Sequence, residues 1–207
     1  MITNSIHDYY ANNLAAHGHG AQGVGWKNEE AQQVRFQQLI KVIQTTGAFS
    51  INDLGCGVGA LLPFLRSIFK SFSYRGYDVM DEMIDAACKE YKENASVQFH
   101  KIKEAKELMH ADYTVASGIF NLRFSTSVSD WKKYILETLN DIDECSERGF
   151  AFNALTTYSD KAFMKDELFY SDPTWLFDYC KKQFAENVAL LHDYGQYDFT
   201  ILVKKTL

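Results

Sequence analysis

The chain is short of the residues that interrupt or staple a fold. Only 2 of its 207 residues are proline and 12 are glycine. No low-complexity run or internal repeat sets one stretch apart from another, so nothing marks a linker between domains. The 4 cysteines, Cys56, Cys88, Cys145 and Cys180, lie far apart and form no CxxC pair. That spacing writes neither a disulfide framework nor a cysteine zinc site, and a reducing compartment is the simplest reading. No stretch reaches the roughly 18 consecutive apolar residues of a membrane span, and the start MITNSIHDYYANN has neither a basic n-region nor an apolar h-region. A cytoplasmic protein without a membrane partner is expected. Basic blocks are missing too: beyond pairs such as Lys132-Lys133, Lys181-Lys182 and Lys204-Lys205 the balance is acidic, with a formal charge of -6. Phosphate backbones are repelled on average, which argues against nucleic acid. His, Cys and carboxylate clusters at ligand spacing are lacking as well, so no metal is expected.

What the chain does have is enough apolar material for a core. Its 46% hydrophobic and 23% charged residues are those of a folded globular protein. At such a length roughly 70% of the unfolded surface can be buried without staples. Aromatic residues make up 14%, more than a core strictly needs, and some are candidates for lining a pocket.

Two helices are expected first, over about 5–16 and from Asn28 towards Gly47, separated by the Gly/His loop 17–25. Asn28 suits an N-cap, and Glu29 and Glu30 suit the first turn. From residue 48 the pattern alternates. Strand-like runs at 49–54, 74–77, 97–100, 113–117 and 149–155 are separated by helical runs at 60–69, 81–93 and 130–141. Strands alternating with helices call for a parallel sheet covered on both faces. Asp172-Pro173 then starts another helix as N-cap and N1, with Leu176, Cys180 and Phe184 inward. Segments 188–192 and 198–203 read as an antiparallel pair at the sheet edge.

The segment richest in chemistry is Asn52-Asp53-Leu54-Gly55-Cys56-Gly57-Val58-Gly59. It sits where the first strand meets its helix, the place where an open α/β sheet binds its ligand. Glycine at every second position lets the backbone bend sharply and lie against a ligand without Cβ collisions, and the next helix offers free N–H groups. The second strand then ends on Gly76-Tyr77-Asp78, putting a carboxylate where it can accept both hydroxyls of a ribose. Val79 and Met80 follow, apolar side chains suited to one face of an adenine. Cys56, inside the turn, reads as a small packing residue, because nothing near it in sequence would lower its pKa.

DLGCGVG, then GYD at the end of the second strand, then five alternating strands and a terminal antiparallel pair resemble the class I S-adenosylmethionine-dependent methyltransferases. The likeness runs over about residues 27–207. It implies an α/β fold, a three-layer Rossmann-like sheet of seven strands, mostly parallel with a terminal antiparallel strand. It also implies one methyltransferase domain over 1–207, with a helical lid at 1–47 and a cofactor-binding core at 48–207, and S-adenosylmethionine as cofactor. By the same resemblance Asp53, Gly55 and Gly57, with Cys56 between them, surround the methionine moiety, and Asp78 holds the ribose. Ser117, Gly118, Ile119, Phe120 and Asn121 lie beside the sulfonium and the incoming substrate. One departure stands out: where many members carry an acid directly after the third strand for the adenine amino group, this chain reads Lys101-Ile102-Lys103-Glu104.

The sulfonium already makes its methyl electrophilic, so the protein mainly has to align a nucleophile and, if needed, take its proton. Candidate acceptor contacts are Tyr10 and Trp26 in the N-terminal segment, Phe120 and Asn121 after strand four, Asn153 and Tyr158 after strand five, and Tyr194 in the last connection. His17 and His192 are candidate bases, set against packing or capping roles. The resemblance puts the 193–197 turn at the cofactor's edge of the sheet. The lack of a basic surface and of an appended domain favours a small-molecule acceptor. Two other readings stay open: a non-catalytic protein that binds the cofactor or its product, and another nucleotide-fold enzyme such as a nicotinamide-dependent reductase, which the GxGxG spacing disfavours.

Overall fold

The computed structural model describes residues 4–92 and 94–205, with side chains from Ile6 onward. Helix α1 (Asn4–His17) is followed, after a glycine-rich loop, by α2 (Glu29–Leu39). The Asn28 side chain caps α2 by accepting the Ala31 N–H at 2.9 Å. α2 stops well short of Gly47, giving way to a 3-10 turn at Ile40–Val42 and an extended Ile43. The β-branched run that begins there disfavours helix, and the Gln44 N–H is taken by the Tyr113 hydroxyl at 3.2 Å instead.

The alternating part gives β1 (Phe49–Leu54), α3 (Leu61–Ile68), β2 (Phe72–Asp78), α4 (Asp81–Glu90), β3 (Val97–Lys101), β4 (Ala111–Ala116), α5 (Val128–Cys145) and β5 (Ser146–Leu155). α6 (Pro173–Gln183), β6 (Asn187–Leu191) and β7 (Asp198–Lys204) complete it. α5 begins earlier than its apolar pattern suggests because Ser127 caps it, accepting the Asp130 N–H at 3.1 Å. It also runs on to Cys145, because Ile142 and Cys145 continue the buried stripe of Trp131, Ile135 and Leu139.

The 7 strands form one sheet in the order β3-β2-β1-β4-β5-β7-β6. β7 runs antiparallel to both β5 and β6, and the other pairs are parallel. β6 therefore points the same way as β5, so the turn between β6 and β7 lies at the carboxyl edge of the sheet, where the Tyr197 carbonyl accepts the Thr156 N–H at 3.0 Å. Strand order reverses at β1, which pairs with β2 on one side and β4 on the other. The carboxyl ends of β1 and β4 are thus the switch point at which such sheets bind ligands. Two apolar layers cover the sheet. One holds Trp131, Ile135 and Leu139 against Phe150, Phe152 and Ile201, and the other Leu61, Leu62 and Leu65 against Ile51, Tyr74 and Val115. Among the described residues no helix is long and apolar enough to cross a membrane.

Candidate functional site

β1 ends in a turn whose three glycines all take positive φ, +75° at Gly55, +52° at Gly57 and +81° at Gly59. L-residues pay for that region, and space is also short: a Cβ on Gly55 would fall 2.3 Å from Ile119 Cγ2. The turn is fastened to β2 because the Tyr77 carbonyl accepts the N–H groups of both Gly55 and Cys56, at 2.8 and 3.0 Å. One Asp78 oxygen accepts the Gly57 N–H at 2.9 Å and the other the Met80 N–H at 3.0 Å. Burial raises the Asp78 carboxyl above its ordinary value, and those bonds pull it back.

Asp53 lies deeper, next to the turn. Burial is the main cause that lifts its pKa to about 7; the Tyr74 hydroxyl, donating at 2.6 Å, lowers it, and the nearby Asp78 raises it further. The Cys56 thiol is pushed well up by burial, which makes it a packing group.

These groups open into a cavity of about 670 Å³ at the carboxyl edge, a size typical of small-molecule sites. Its walls include Asp53, Gly55, Cys56, Gly57, Asp78, Val79, Met80, Ser117, Gly118, Asn121, Tyr10 and Trp26, all singled out in the sequence. Met80 and Met83 are 2% exposed and carry Tyr10, Leu14 and Val24 of the N-terminal segment on top of them. Val24 also reaches over the turn, where a Cβ on Gly57 would meet its Cγ1 at 3.1 Å. Ile6, Tyr9, Tyr10, Val24, Gly25 and Trp26 therefore roof the cavity. Among the described residues no three His, Cys, Asp or Glu side chains gather as metal ligands.

Other expected contacts stand elsewhere. Asn153 is fully buried behind the wall, where its Oδ1 accepts the Gly118 N–H at 2.7 Å. It braces the loop after β4. Asn121 touches the cavity and also braces, accepting the Leu155 N–H at 3.1 Å. Phe120 is buried in the core, its carbonyl accepting the Trp131 indole N–H at 3.0 Å. Tyr158 is 72% exposed, and Tyr194 shares a hydrogen bond with Thr200 at 3.0 Å. His17 is exposed at the end of α1, and the His192 ring packs between Tyr158 and Phe199. None of Phe120, Asn153, Tyr158, Tyr194, His17 and His192 is part of the cavity wall.

The wall also has members that the sequence did not single out. Gln32, Arg35 and Phe36 come from one face of α2, Trp131, Tyr134 and Thr138 from one face of α5, and Glu104 from the connection after β3. The polar residues at the i, i+3 positions of α2, aligned with Phe36 and Leu39, were a readable signal of an inward polar face. Lys165, Glu167 and Leu168 belong to the irregular excursion between β5 and α6. It is hooked to the loop after β4 by main-chain bonds from Arg123 and Phe124 to the Glu167 carbonyl, both 3.0 Å, and from Phe169 to the Asn121 carbonyl, 2.8 Å.

Comparison with known proteins adds the following. No family model matches the sequence. The chain is 47% identical over 166 residues to the provisionally named methyltransferase Rv1506c of Mycobacterium tuberculosis, a match covering 80% of this chain and 99% of that protein. Among solved structures it is similar to magnesium protoporphyrin IX methyltransferase from Synechocystis with bound S-adenosylhomocysteine, at TM-score 0.67 and 11% identity over 98% of this chain and 99% of that one. It is also similar to the N-methyltransferase NodS from Bradyrhizobium japonicum with the same product bound, at TM-score 0.65 and 13% identity over 97% and 98% of the two chains.

Proposed function

The chain belongs to the class I S-adenosylmethionine-dependent methyltransferases, and from that premise we propose that it methylates a small-molecule acceptor. The observation that carries the proposal is the roofed cavity. Tyr9, Tyr10, Val24 and Trp26 cover the glycine turn and the loop after β4, leaving about 670 Å³ inside. A site covered in this way suits a ligand of small-molecule size, and the acidic chain offers nothing to steer a polynucleotide.

The residues present fit the cofactor. Asp78 has acceptor capacity left on both oxygens for ribose hydroxyls after binding two backbone N–H groups. Met80, Met83, Val79 and Ile102 give an apolar adenine end, and Asp53 stands ready for a cationic amino group. When bound, the cofactor supplies an electrophilic methyl on a sulfonium. The protein's own part is to hold Ser117 and Gly118 beside that methyl through the Asn153 brace, to keep water out with the roof, and to line up the acceptor atom. Trp26, Ile119, Leu122, Leu155 and Leu168 make the acceptor side largely apolar, with Lys27, Arg35, Lys165 and Glu167 among its charged members. An acceptor with an apolar or aromatic body and a polar end fits it.

The experiment is a search for the product: purified protein and isotopically labelled S-adenosylmethionine are incubated with separate metabolite, protein and RNA fractions, and label is followed by mass spectrometry. Label in a metabolite supports the proposal. Label confined to the protein or RNA fraction overturns it.

A further inference from the structure

Four elements meet at a stack beside the cavity. Asp198, the first residue of β7, has a side chain with 0% exposure and forms an ion pair with Arg35 of α2, whose side chain is 9% exposed. Arg35 Nη1 donates to the Ala31 carbonyl at 2.6 Å. Its guanidinium carbon lies 4.4 Å from the centre of the Trp26 ring, within cation–π range. The far edge of that ring presses on Gly118, where a Cβ would come within 2.8 Å of the indole Cζ2 and Cη2. Gly118 in turn adjoins Ser117 at the end of β4.

Taking two charges out of water is costly, and replacing a buried ion pair by apolar residues of similar volume is often neutral or stabilising. The cost is not fully offset: among the described residues, Arg35 Nε and both Asp198 oxygens lack a hydrogen bond of ordinary geometry. What the ion pair supplies is orientation, because a planar guanidinium fixed at one side presents a defined face to the indole. We propose that Asp198 and Arg35 are positioning residues that hold the edge of the Trp26 ring against Gly118 and thereby set the wall against which the acceptor lies. The proposal rests on the reading that the acceptor enters beside Gly118. Neither residue touches the reacting atoms; both act through Trp26.

The test uses the full chain labelled with 5-fluorotryptophan, whose three tryptophans, Trp26, Trp131 and Trp175, give separate fluorine resonances; Trp26→Phe assigns the line of interest. Arg35→Lys keeps the charge and removes the planar face. The double variant Arg35→Met with Asp198→Leu removes both charges and keeps the burial, so it folds even if the lysine variant does not. In both, the Trp26 line is expected to shift and broaden while the other two stay. Calorimetry with S-adenosylhomocysteine sets the concentration at which wild type and each variant are saturated. In wild type that ligand should move the Trp26 line, and in the double variant it should not. A Trp26 line unchanged in folded variants overturns the clamp. If wild type neither binds S-adenosylhomocysteine nor shows any line moving, the cofactor reading fails, and the clamp is still judged by the Trp26 line without ligand.

Discussion

Asp78 accepts the N–H of Gly57 at 2.9 Å, so the acid that ends the second strand is fastened to the glycine turn that ends the first. One side chain thus shapes the turn and faces the cavity.

Replacing it with alanine removes both the proposed ribose acceptor and that fastening. Asp78→Ala is expected to weaken S-adenosylmethionine binding by about 1.5 to 3 kcal/mol, the range for losing charge-assisted hydrogen bonds. Calorimetry on the folded variant checks it, and unchanged affinity would remove Asp78 from the site.

Gly57→Val should abolish cofactor binding and leave much of the fold. The position has φ +52° and a Cβ there would sit 3.1 Å from Val24, so a branched side chain is strained and takes the ligand's space. Circular dichroism and ligand-induced thermal shifts together decide it; retained binding would mean that the cofactor lies elsewhere.

Asp53 is expected to make cofactor binding depend on pH. Its carboxyl titrates at about 7, far above its value in an unfolded chain, so below that pH the free protein holds a proton there. A cationic amino group beside Asp53 favours the carboxylate, and binding then expels the proton. Affinity should be level at about pH 8 and fall on acidification towards about pH 5.5, with a limiting slope of about tenfold per unit. Asp53→Asn should bind more weakly at high pH and show no such slope. Tyr74→Phe, by removing the bond that favours the carboxylate, should move the profile to higher pH. An unsloped wild-type profile, with no proton release in buffers of different ionisation enthalpy, contradicts the assignment.

The N-terminal roof is expected to behave as a lid. Its loop is held by short-range bonds such as Gly23 to Gly20, 2.9 Å, and Trp26 to Ala21, 2.8 Å. Such local bonds open more readily than a strand ladder. Amide exchange at residues 18–26 should slow on addition of S-adenosylhomocysteine. Deleting residues 1–26 should weaken cofactor binding moderately and eliminate transfer, by admitting water and removing Tyr10 and Trp26. Full protection of the segment without ligand would show a structural brace.

How far the sequence could be read depended on the range of each interaction. The glycine turn and Asp78 each lie where a strand gives way to its helix, so each pattern is local and legible. The strands were readable for the same reason. The Arg35–Asp198 pair joins α2 to β7 from opposite ends of the chain, and no local pattern marks such a partnership. His17 and His192 were attractive for their chemistry, but side-chain direction in a loop or at a strand end is set by neighbours. His192 is turned between two aromatic rings. α2 ended early because the β-branched stretch around Ile43 outweighed the prospect of a glycine stop at Gly47.

The hooks that tie the β5–α6 excursion to the loop after β4 are made by main-chain atoms at Arg123, Phe124, Asn121, Glu167 and Phe169. Main-chain bonds do not depend on which side chain a position carries. The side chains of Lys165, Glu167 and Leu168 at the cavity are therefore free to vary while the frame that presents them, and the glycine turn, stay as they are. If the acceptor lies against this excursion as proposed, a drifting lineage, or an engineer, can alter which molecule is methylated by rewriting a few letters there, without having to reinvent the turn on the far side of the cavity.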